Sequence, residues 1–453
     1  MSRPLRVAVI GSGPSGVYAA DALVGQADIP VEVDLIDKLP VPFGLVRYGV
    51  APDHLSIRSV RDTLDKVLDK PGVRFLGNVE VGVDLTMDDL HRLYDAIVLS
   101  YGAAGDRRLG IPGEDLDGSI AATDFVAWYT GHPDADRAYY EELIPRATGV
   151  VVVGVGNVAI DVTRVLAKTV AELEHTDMPQ HVFDTLAKSQ VTDVHLLGRR
   201  GPAFAAFTTK ELRELGELDD CDILVDAAYL ELDPASEQAV ASDKAVARNV
   251  EVIREWSTRA PAGKSRRIHL HFLARPVAVH GGSAVESVVV ERTRMTPDGK
   301  AEGTGETYEI PANVVVRSVG YRGIGLPGVP FDESSSVIPH VDGRVTIDGA
   351  PVAGVYCAGW IKRGPSGIIG TNKKCAVGSV ASLLADAQSG ALPEPAEPTA
   401  DAVDAVLAER GVEVVDTAGW RRIDAAERAL GGTRGRDRTT LHGRDELLAA
   451  ARP

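Results

Sequence analysis

Short apolar runs alternate along this chain with segments whose apolar positions recur at helical spacing. LRVAVIG is followed by SGVYAADALVG, and GVVVVG by NVAIDVTRVLAK, while VEVDLID, VRFLGNVEVG, YDAIVLSYGA and VTDVHLLGRR continue the apolar series. Continuous rather than alternating hydrophobicity predicts strands covered on both faces, and strand–helix alternation predicts parallel sheets in an α/β protein. Two of the strands end alike. IVLSYGAAG, from Ile97, and VVRSVGYRG, from Val315, both close on Ser-x-Gly and run into a glycine-rich loop. They read as crossing strands at a domain border, one leading out and one leading back. The expected organisation is therefore a discontinuous domain, 1–105 and 324–453, with a second domain, 106–323, inserted into it. The proline-rich SGALPEPAEPTA, 389–400, predicts a linker of limited flexibility, and DAVDAVLAERG and GWRRIDAAERAL predict a helical appendage after it,.

Length agrees with this division, because 453 residues exceed what one hydrophobic core organises. No apolar run approaches the roughly 18 residues that suggest a membrane span. The first strand begins almost at Met1, leaving no room for a signal peptide, so a cytoplasmic protein is expected. Three cysteines, Cys221, Cys357 and Cys375, include no C-x-x-C pair and no zinc-like spacing. That pattern argues for a reducing compartment, against disulfide exchange, and for no metal. A net charge of −17 makes nucleic acid an improbable partner. Locally, however, Arg248, Arg254, Arg259, Lys264, Arg266 and Arg267 concentrate positive charge within 248–267.

Chemistry enters at two glycine turns. Gly11-Ser12-Gly13-Pro14-Ser15-Gly16 lies between a strand and a helix. Its first glycine serves the tight turn, its second the approach of a pyrophosphate, and its third close helix–strand packing,. Asp37 ends the next strand, about 20 residues on, where a carboxylate accepts hydrogen bonds from ribose hydroxyls,. The second turn is Gly154-Val155-Gly156-Asn157-Val158-Ala159, with alanine in the third glycine position. The strand after it ends in LLGRR, so Arg199 and Arg200 stand where an NAD site would hold an acid. Two guanidiniums suit the additional 2′-phosphate of NADP. The insertion AELEHTDMPQHVFDTLAKSQ accounts for the longer interval before them. Two cradles suit one resident and one exchanging dinucleotide, FAD in the first and NADPH in the second. Near the end of the chain, VAGVYCAGWIKRGPSGIIGTNKK ends a strand, passes a glycine-rich turn and starts a helix near Gly370. Trp360 within it is placed either to stack on a flavin or to pack as an ordinary aromatic.

The motifs VAVIGSGPSG, GLVRYGVAPDH, IPGEDL, GVGNVAIDV, GRRGPAFAAFTTKELREL, VVRSVGYRG and GWIKRGPSGIIGTNKK occur in order over nearly the whole chain. Together they resemble the adrenodoxin-reductase type of ferredoxin–NADP⁺ reductase, in particular its bacterial members. The resemblance implies two Rossmann-like dinucleotide-binding domains, the second inserted into the first. It implies FAD contacts from Ser15, Asp37, Leu45, Val81, Trp360, Gly367, Ile368 and Ile369. It further implies NADP contacts from Arg107, Val155, Gly156, Asn157, Val158, Arg199, Arg200 and Glu211, with Gly367 where flavin and nicotinamide meet. Three positions depart from the family pattern: Asp37 stands for glutamate, Phe43 for tryptophan, and Val155 for a polar residue.

The implied reaction takes hydride from NADPH to FAD and passes electrons singly to an iron–sulfur protein. His54, in APDH, and Glu214, in ELREL, are candidates for a polar pair near the nicotinamide,. Asp161 reads as a structural residue at the helix start. The basic 248–267 segment is a candidate dock for an acidic ferredoxin. Two other classes fit part of the pattern. An NADPH-donating flavoprotein subunit resembling the glutamate-synthase small subunit would carry a cysteine-rich segment before the first strand, which this sequence lacks. A non-catalytic redox-sensing module would bind both cofactors and turn over slowly.

Overall fold

The apolar runs form separate parallel sheets in the computed structural model, which describes residues 3–367 and 369–453. The chain divides into two units. One runs through Gly105 and includes Thr130–Asp134 and Tyr321–Pro453, and the other comprises Asp106–Tyr129 and Ala135–Gly320. The expected Ile368 contact lies outside the described residues.

In the first unit the strands run in the order His340–Val341, Arg344–Ile347, Ala350–Cys357, Ala96–Leu99, Leu5–Ile10, Val31–Asp37 and Val73–Gly77. The last five are mutually parallel, and the first two join them through antiparallel pairing. Side chains alternate between the faces of a strand, so each strand feeds two cores. Val7 and Val9 pack on one face with Leu35, Phe75 and the helices Pro14–Gly25 and Ile369–Ser389. Ala8 and Ile10 pack on the other with Ile36, Leu76, Leu90 and Leu93. The segment after the proline-rich stretch joins both cores, through Trp420, Ile423 and Leu447 on one side and Val403 and Leu407 on the other.

A buried ionic cluster ties that segment down. Glu427 has no exposed side-chain surface and accepts from Arg47 at 3.1 Å and from Arg438 at 2.5 Å. The Arg47 guanidinium also lies over the Tyr48 and Trp420 rings, 5.1 and 5.6 Å from their centroids. Buried charge is tolerated only with such pairing, and removing one member of a pair costs about 3–5 kcal/mol. Thr130–Asp134 belongs to this unit because Thr130 Oγ1 donates to the Tyr48 carbonyl at 3.1 Å, His132 packs on the Tyr48 ring at 4.9 Å, and Asp134 pairs with Arg444 at 2.9 Å.

The second unit carries six parallel strands in the order Ser119–Ala121, Val314–Arg317, Gly149–Val153, Asp193–Leu197, Arg266–His271 and Cys221–Val225. Val150, Val152, Val194, Leu196, Ile268 and Leu270 face the helices. Val151, Val153 and Leu197 face a three-stranded antiparallel meander formed by Ala274–His280, Ser287–Met295 and Ala301–Pro311. Among the described residues, no helix is long and apolar enough to cross a membrane.

Candidate functional site

The first glycine turn has the sterics that its spacing predicts. Gly11 sits at φ 100°, and a Cβ there would lie 2.6 Å from Tyr101 Cα. A Cβ on Gly16 would lie 1.8 Å from the Gly11 carbonyl oxygen, so helix and strand touch at that point. At Gly13, by contrast, a Cβ would meet nothing within 4 Å. The middle glycine thus faces open space, the space a pyrophosphate needs. Gly13 caps the helix Pro14–Gly25 without a side-chain hydrogen bond, and the first turn holds no acid. The positive dipole end of a helix, free of competing carboxylate, favours phosphate.

Asp37 ends the second strand as expected and helps to shape the loop. Its carboxylate accepts from the Ser12 amide at 2.8 Å, the Ser12 hydroxyl at 2.5 Å and the Leu39 amide at 2.9 Å. Burial raises its pKa against the lowering effect of those bonds. A carboxylate offers about four lone-pair positions, so one remains for a ribose hydroxyl. Phe43 holds φ 84°, and its amide donates to the Ser12 carbonyl at 3.0 Å. Its ring is fully buried, edge-on to Trp420 at 5.7 Å. Gly44 then approaches the cradle so closely that a Cβ on it would lie 3.1 Å from Gly13 Cα, and Leu45 opens a short helix, Leu45–Tyr48. Val81 is buried in the core beneath the sheet.

The C-terminal motif folds back onto this cradle. Ser15 Oγ donates to Asn372 Oδ1 at 3.1 Å, and Arg363 donates to the same oxygen at 2.7 Å. Gly359, at φ 76°, has no room for a side chain, since a Cβ would fall 2.2 Å from Ser15 Oγ. Trp360 packs at a tilt on Tyr321, 5.4 Å between ring centroids. Its indole Nε1 is buried and has no hydrogen-bond partner among the described residues. Gly367 adopts φ 82° beside Thr371, and Ile369 starts the long helix Ile369–Ser389. An open phosphate cradle, a free carboxylate position and an orphaned indole N–H converge within one unit. Those features fit a flavin dinucleotide.

The second turn repeats the design. Gly154, at φ 131°, brings a Cβ position to 2.2 Å from the Ser318 carbonyl oxygen, whereas a Cβ on Gly156 would meet nothing within 4 Å. The helix Asn157–Ala167 also lacks a side-chain cap and a first-turn acid. Val155 is held through its carbonyl, which accepts from Ala206 at 2.8 Å and Phe207 at 3.1 Å, and Asn157 Oδ1 accepts from Thr208 at 2.9 Å. Val158 packs against the core.

Arg199 and Arg200 follow the strand Asp193–Leu197. Arg200 lies over Phe204, 5.1 Å from the ring centroid, and burial, then the Arg199 charge, lowers its pKa. Arg199 is exposed, with no ion pair among the described residues. Two like charges side by side, neither in an ion pair among the described residues, form a site for a dianion. Arg107 is exposed, and its amide donates to the Gly320 carbonyl at 3.1 Å.

Glu211 and Glu214 share the helix Thr209–Leu215, and their environment was not legible from spacing. Arg164, almost wholly buried, pairs with Asp161 at 2.9 Å, Glu214 at 3.3 Å and Glu211 at 3.5 Å. Asp161, expected to hold the turn, thus anchors this guanidinium. His54 is buried in the other unit and caps the helix Leu55–Arg58, its carbonyl accepting from the Ile57 and Arg58 amides at 3.0 Å. The basic 248–267 stretch is largely engaged within its own unit. Lys264 donates to the Leu218 carbonyl at 2.9 Å, Arg266 to the carbonyls of Leu166 and Lys168, and Arg267 chelates Asp193 at 2.6 and 2.7 Å. Only Arg248, Arg254 and Arg259 remain on the exposed face, two of them paired with Glu251 and Glu255.

Residues 5–359 match the pyridine nucleotide-disulphide oxidoreductase family. The chain is 45% identical over 460 residues to the NADPH-ferredoxin reductase FprA of Mycobacterium tuberculosis, covering 98% of this chain and 99% of that protein. It is 37% identical over 470 residues to the mitochondrial NADPH:adrenodoxin oxidoreductase of Arabidopsis thaliana, covering 99% and 96% respectively. The solved structure of Mycobacterium tuberculosis FprA in complex with NADPH aligns at a TM-score of 0.92 and 41% identity, covering 99% of this chain and 100% of that one.

Proposed function

This chain belongs to the pyridine nucleotide-disulphide oxidoreductase family, and we propose that it works as an FAD-containing NADPH:ferredoxin oxidoreductase. The observation that carries the reading is the second cradle followed by an arginine pair that makes no ion pair among the described residues. An NAD site places a carboxylate there for the 2′-hydroxyl, whereas guanidiniums select the 2′-phosphate. Bound FAD would supply the chemistry of accepting one hydride and releasing its two electrons singly, which joins a nicotinamide to an iron–sulfur centre.

The chain's own residues bind and orient. The amides following Gly13 receive the flavin nucleotide's pyrophosphate, and Asp37 holds a ribose hydroxyl while its other bonds keep Ser12 in place. Ser15, Leu45, Val81, Trp360, Gly367 and Ile369 complete the flavin contacts, and the Trp360 indole offers a hydrogen bond that finds no partner among the described residues. On the second unit Val155, Gly156, Asn157 and Val158 meet the nucleotide's pyrophosphate, Arg199 and Arg200 grip the 2′-phosphate, and Arg107 adds charge. Glu211 is held by Arg164 and accepts from the nucleotide. His54 and Glu214 orient the nicotinamide carboxamide or relay a proton. Replacing His54 with Gln is expected to slow flavin reduction in stopped flow more than it weakens NADP binding.

The partner is an iron–sulfur protein, and we assign it an acidic surface on the strength of the exposed Arg248, Arg254 and Arg259. The reducing cytoplasm is the compartment proposed, since all three cysteines are free. The test is direct. Purified protein should be yellow and release FAD on denaturation, and it should reduce a [2Fe–2S] ferredoxin with NADPH far faster than with NADH. A preparation that cannot be loaded with flavin, or that uses NADH equally well, refutes the reading. Ferredoxin reduction that is insensitive to ionic strength refutes the acidic partner alone.

A further inference from the structure

We propose that the second unit holds a transition-metal site, for Zn²⁺ in the first place, formed by His195, His269 and His271. It lies on the meander side of the sheet, away from the glycine turn. Parallel register puts His269 directly beside His195, and His271 follows two residues on, on the same face,. One ring nitrogen from each histidine lies within 4.8 Å of the others. His195 Nδ1 and His271 Nε2 are 3.0 Å apart. Two nitrogens bound to one zinc at about 2.0–2.1 Å in a tetrahedral site stand little farther apart. The His195 and His269 rings stack at 4.3 Å, so the His269 ring has to turn to bring its nitrogen to the same point.

A second observation is independent of this spacing. His269 Nε2 is hydrogen-bonded to Asp193 at 2.8 Å, and Arg267 chelates the same carboxylate. A carboxylate behind a histidine fixes the tautomer that turns the other nitrogen, as a lone pair, toward a metal. The nearby guanidiniums are themselves occupied. Arg267 is neutralised by Asp193, and Arg292 lies over Tyr308 at 5.2 Å and 4.0 Å from Glu306.

In the hydrogen bond between the His195 and His271 rings, one nitrogen donates and the other accepts. Without an ion the two rings share one proton across the 3.0 Å contact. Metal binding moves that proton to the far nitrogen of the same ring, and none is released. Three protein nitrogens leave one position of a tetrahedral ion open. Beside the cluster is a cavity of ≈ 410 Å³ lined by His269, His271, Asp226, Tyr229 and Tyr308, where water or a small anion completes the coordination. The ion would tie Asp193–Leu197 to Arg266–His271, and the first of these strands leads into Arg199 and Arg200.

The experiment uses flavin-loaded protein without a histidine tag, stripped with chelator and titrated with Zn²⁺ against a chromophoric competitor. Co²⁺ serves as a second probe, read beyond the flavin absorption. One equivalent of each is expected, with tetrahedral ligand-field bands for Co²⁺ and a higher melting temperature with Zn²⁺. His195→Ala and His271→Ala should each abolish stoichiometric uptake, and Asp193→Asn should weaken it by about 10–100-fold. Melting of each variant in chelator checks that it folds. No stoichiometric uptake by the unsubstituted chain overturns the proposal, as does uptake that survives the histidine substitutions.

Discussion

Replacing Arg199 with alanine tests the nucleotide specificity at one atom group. The Arg199 side chain is exposed, makes no ion pair among the described residues, and packs on no ring. Its backbone carbonyl, which accepts from Thr293 Oγ1 at 2.7 Å, stays in place after truncation. The loss is therefore confined to a charge-assisted contact with the 2′-phosphate. Such hydrogen bonds are worth about 1.5–3 kcal/mol, and solvent at an exposed site holds the value near the lower end. At about 1.4 kcal/mol per decade, NADPH affinity should fall roughly tenfold. Removing Arg199 also relieves its repulsion of Arg200, which returns a part of the loss. Steady-state kinetics with ferricyanide as acceptor should show KM for NADPH rising about tenfold while kcat hardly changes. KM for NADH should not move, because NADH has no phosphate there. Higher salt should shrink the difference between Arg199→Ala and the unsubstituted chain. Equal shifts for NADPH and NADH, or none for either, would refute the assignment of this pair to the 2′-phosphate.

Other outcomes follow from the same geometry. Gly13→Ala places a methyl in open space and should leave the melting temperature of flavin-free protein unchanged while lowering flavin retention. Gly16→Ala collides with the Gly11 carbonyl and should lower both, so flavin release and apoprotein melting separate the two roles. Arg164→Met removes the buried guanidinium that Asp161, Glu211 and Glu214 share, and urea unfolding should show a loss of about 3–5 kcal/mol,. His132, half-buried against Tyr48, has its pKa lowered to about 4 by desolvation, against the raising pull of Asp134 and with Lys38, Arg444 and Arg47 also lowering it. A folded pKa below the unfolded value means the unfolded chain takes the proton first. Its contribution is thus present above about pH 6.5 and lost as pH falls toward about 4. His132→Phe should flatten the melting temperature over that window, and an unchanged slope would place the acid sensitivity elsewhere.

Local sterics made the two cradles readable. A turn that needs positive φ at Gly11 and Gly154, and contact without Cβ at Gly16, writes itself into adjacent positions. Asp37 and the arginine pair were equally visible, because each lies at the end of the strand after its cradle. Other features depend on residues far apart in the chain. Asn372 reaches Ser15, and Glu427 reaches Arg47, only because the final segments pack on the first sheet. Nothing in the spacing marks Arg164 as the buried centre of three carboxylates, since two of them come from a helix about 50 residues later. Arg266 and Arg267 looked like a docking surface, but strand pairing turned them toward Lys168 and Asp193.

The amino-acid order by itself determined the elements, the two turns and the preference for a phosphorylated nucleotide, since each depends on neighbours within a few residues or one strand–helix–strand unit. Which strand lies beside which, and in what register, was decided by burial of whole faces. That register alone put His195 next to His269 and His271. Spacing along the chain carries no record of it, because the energy that selects a register is summed over the entire sheet and its covering helices.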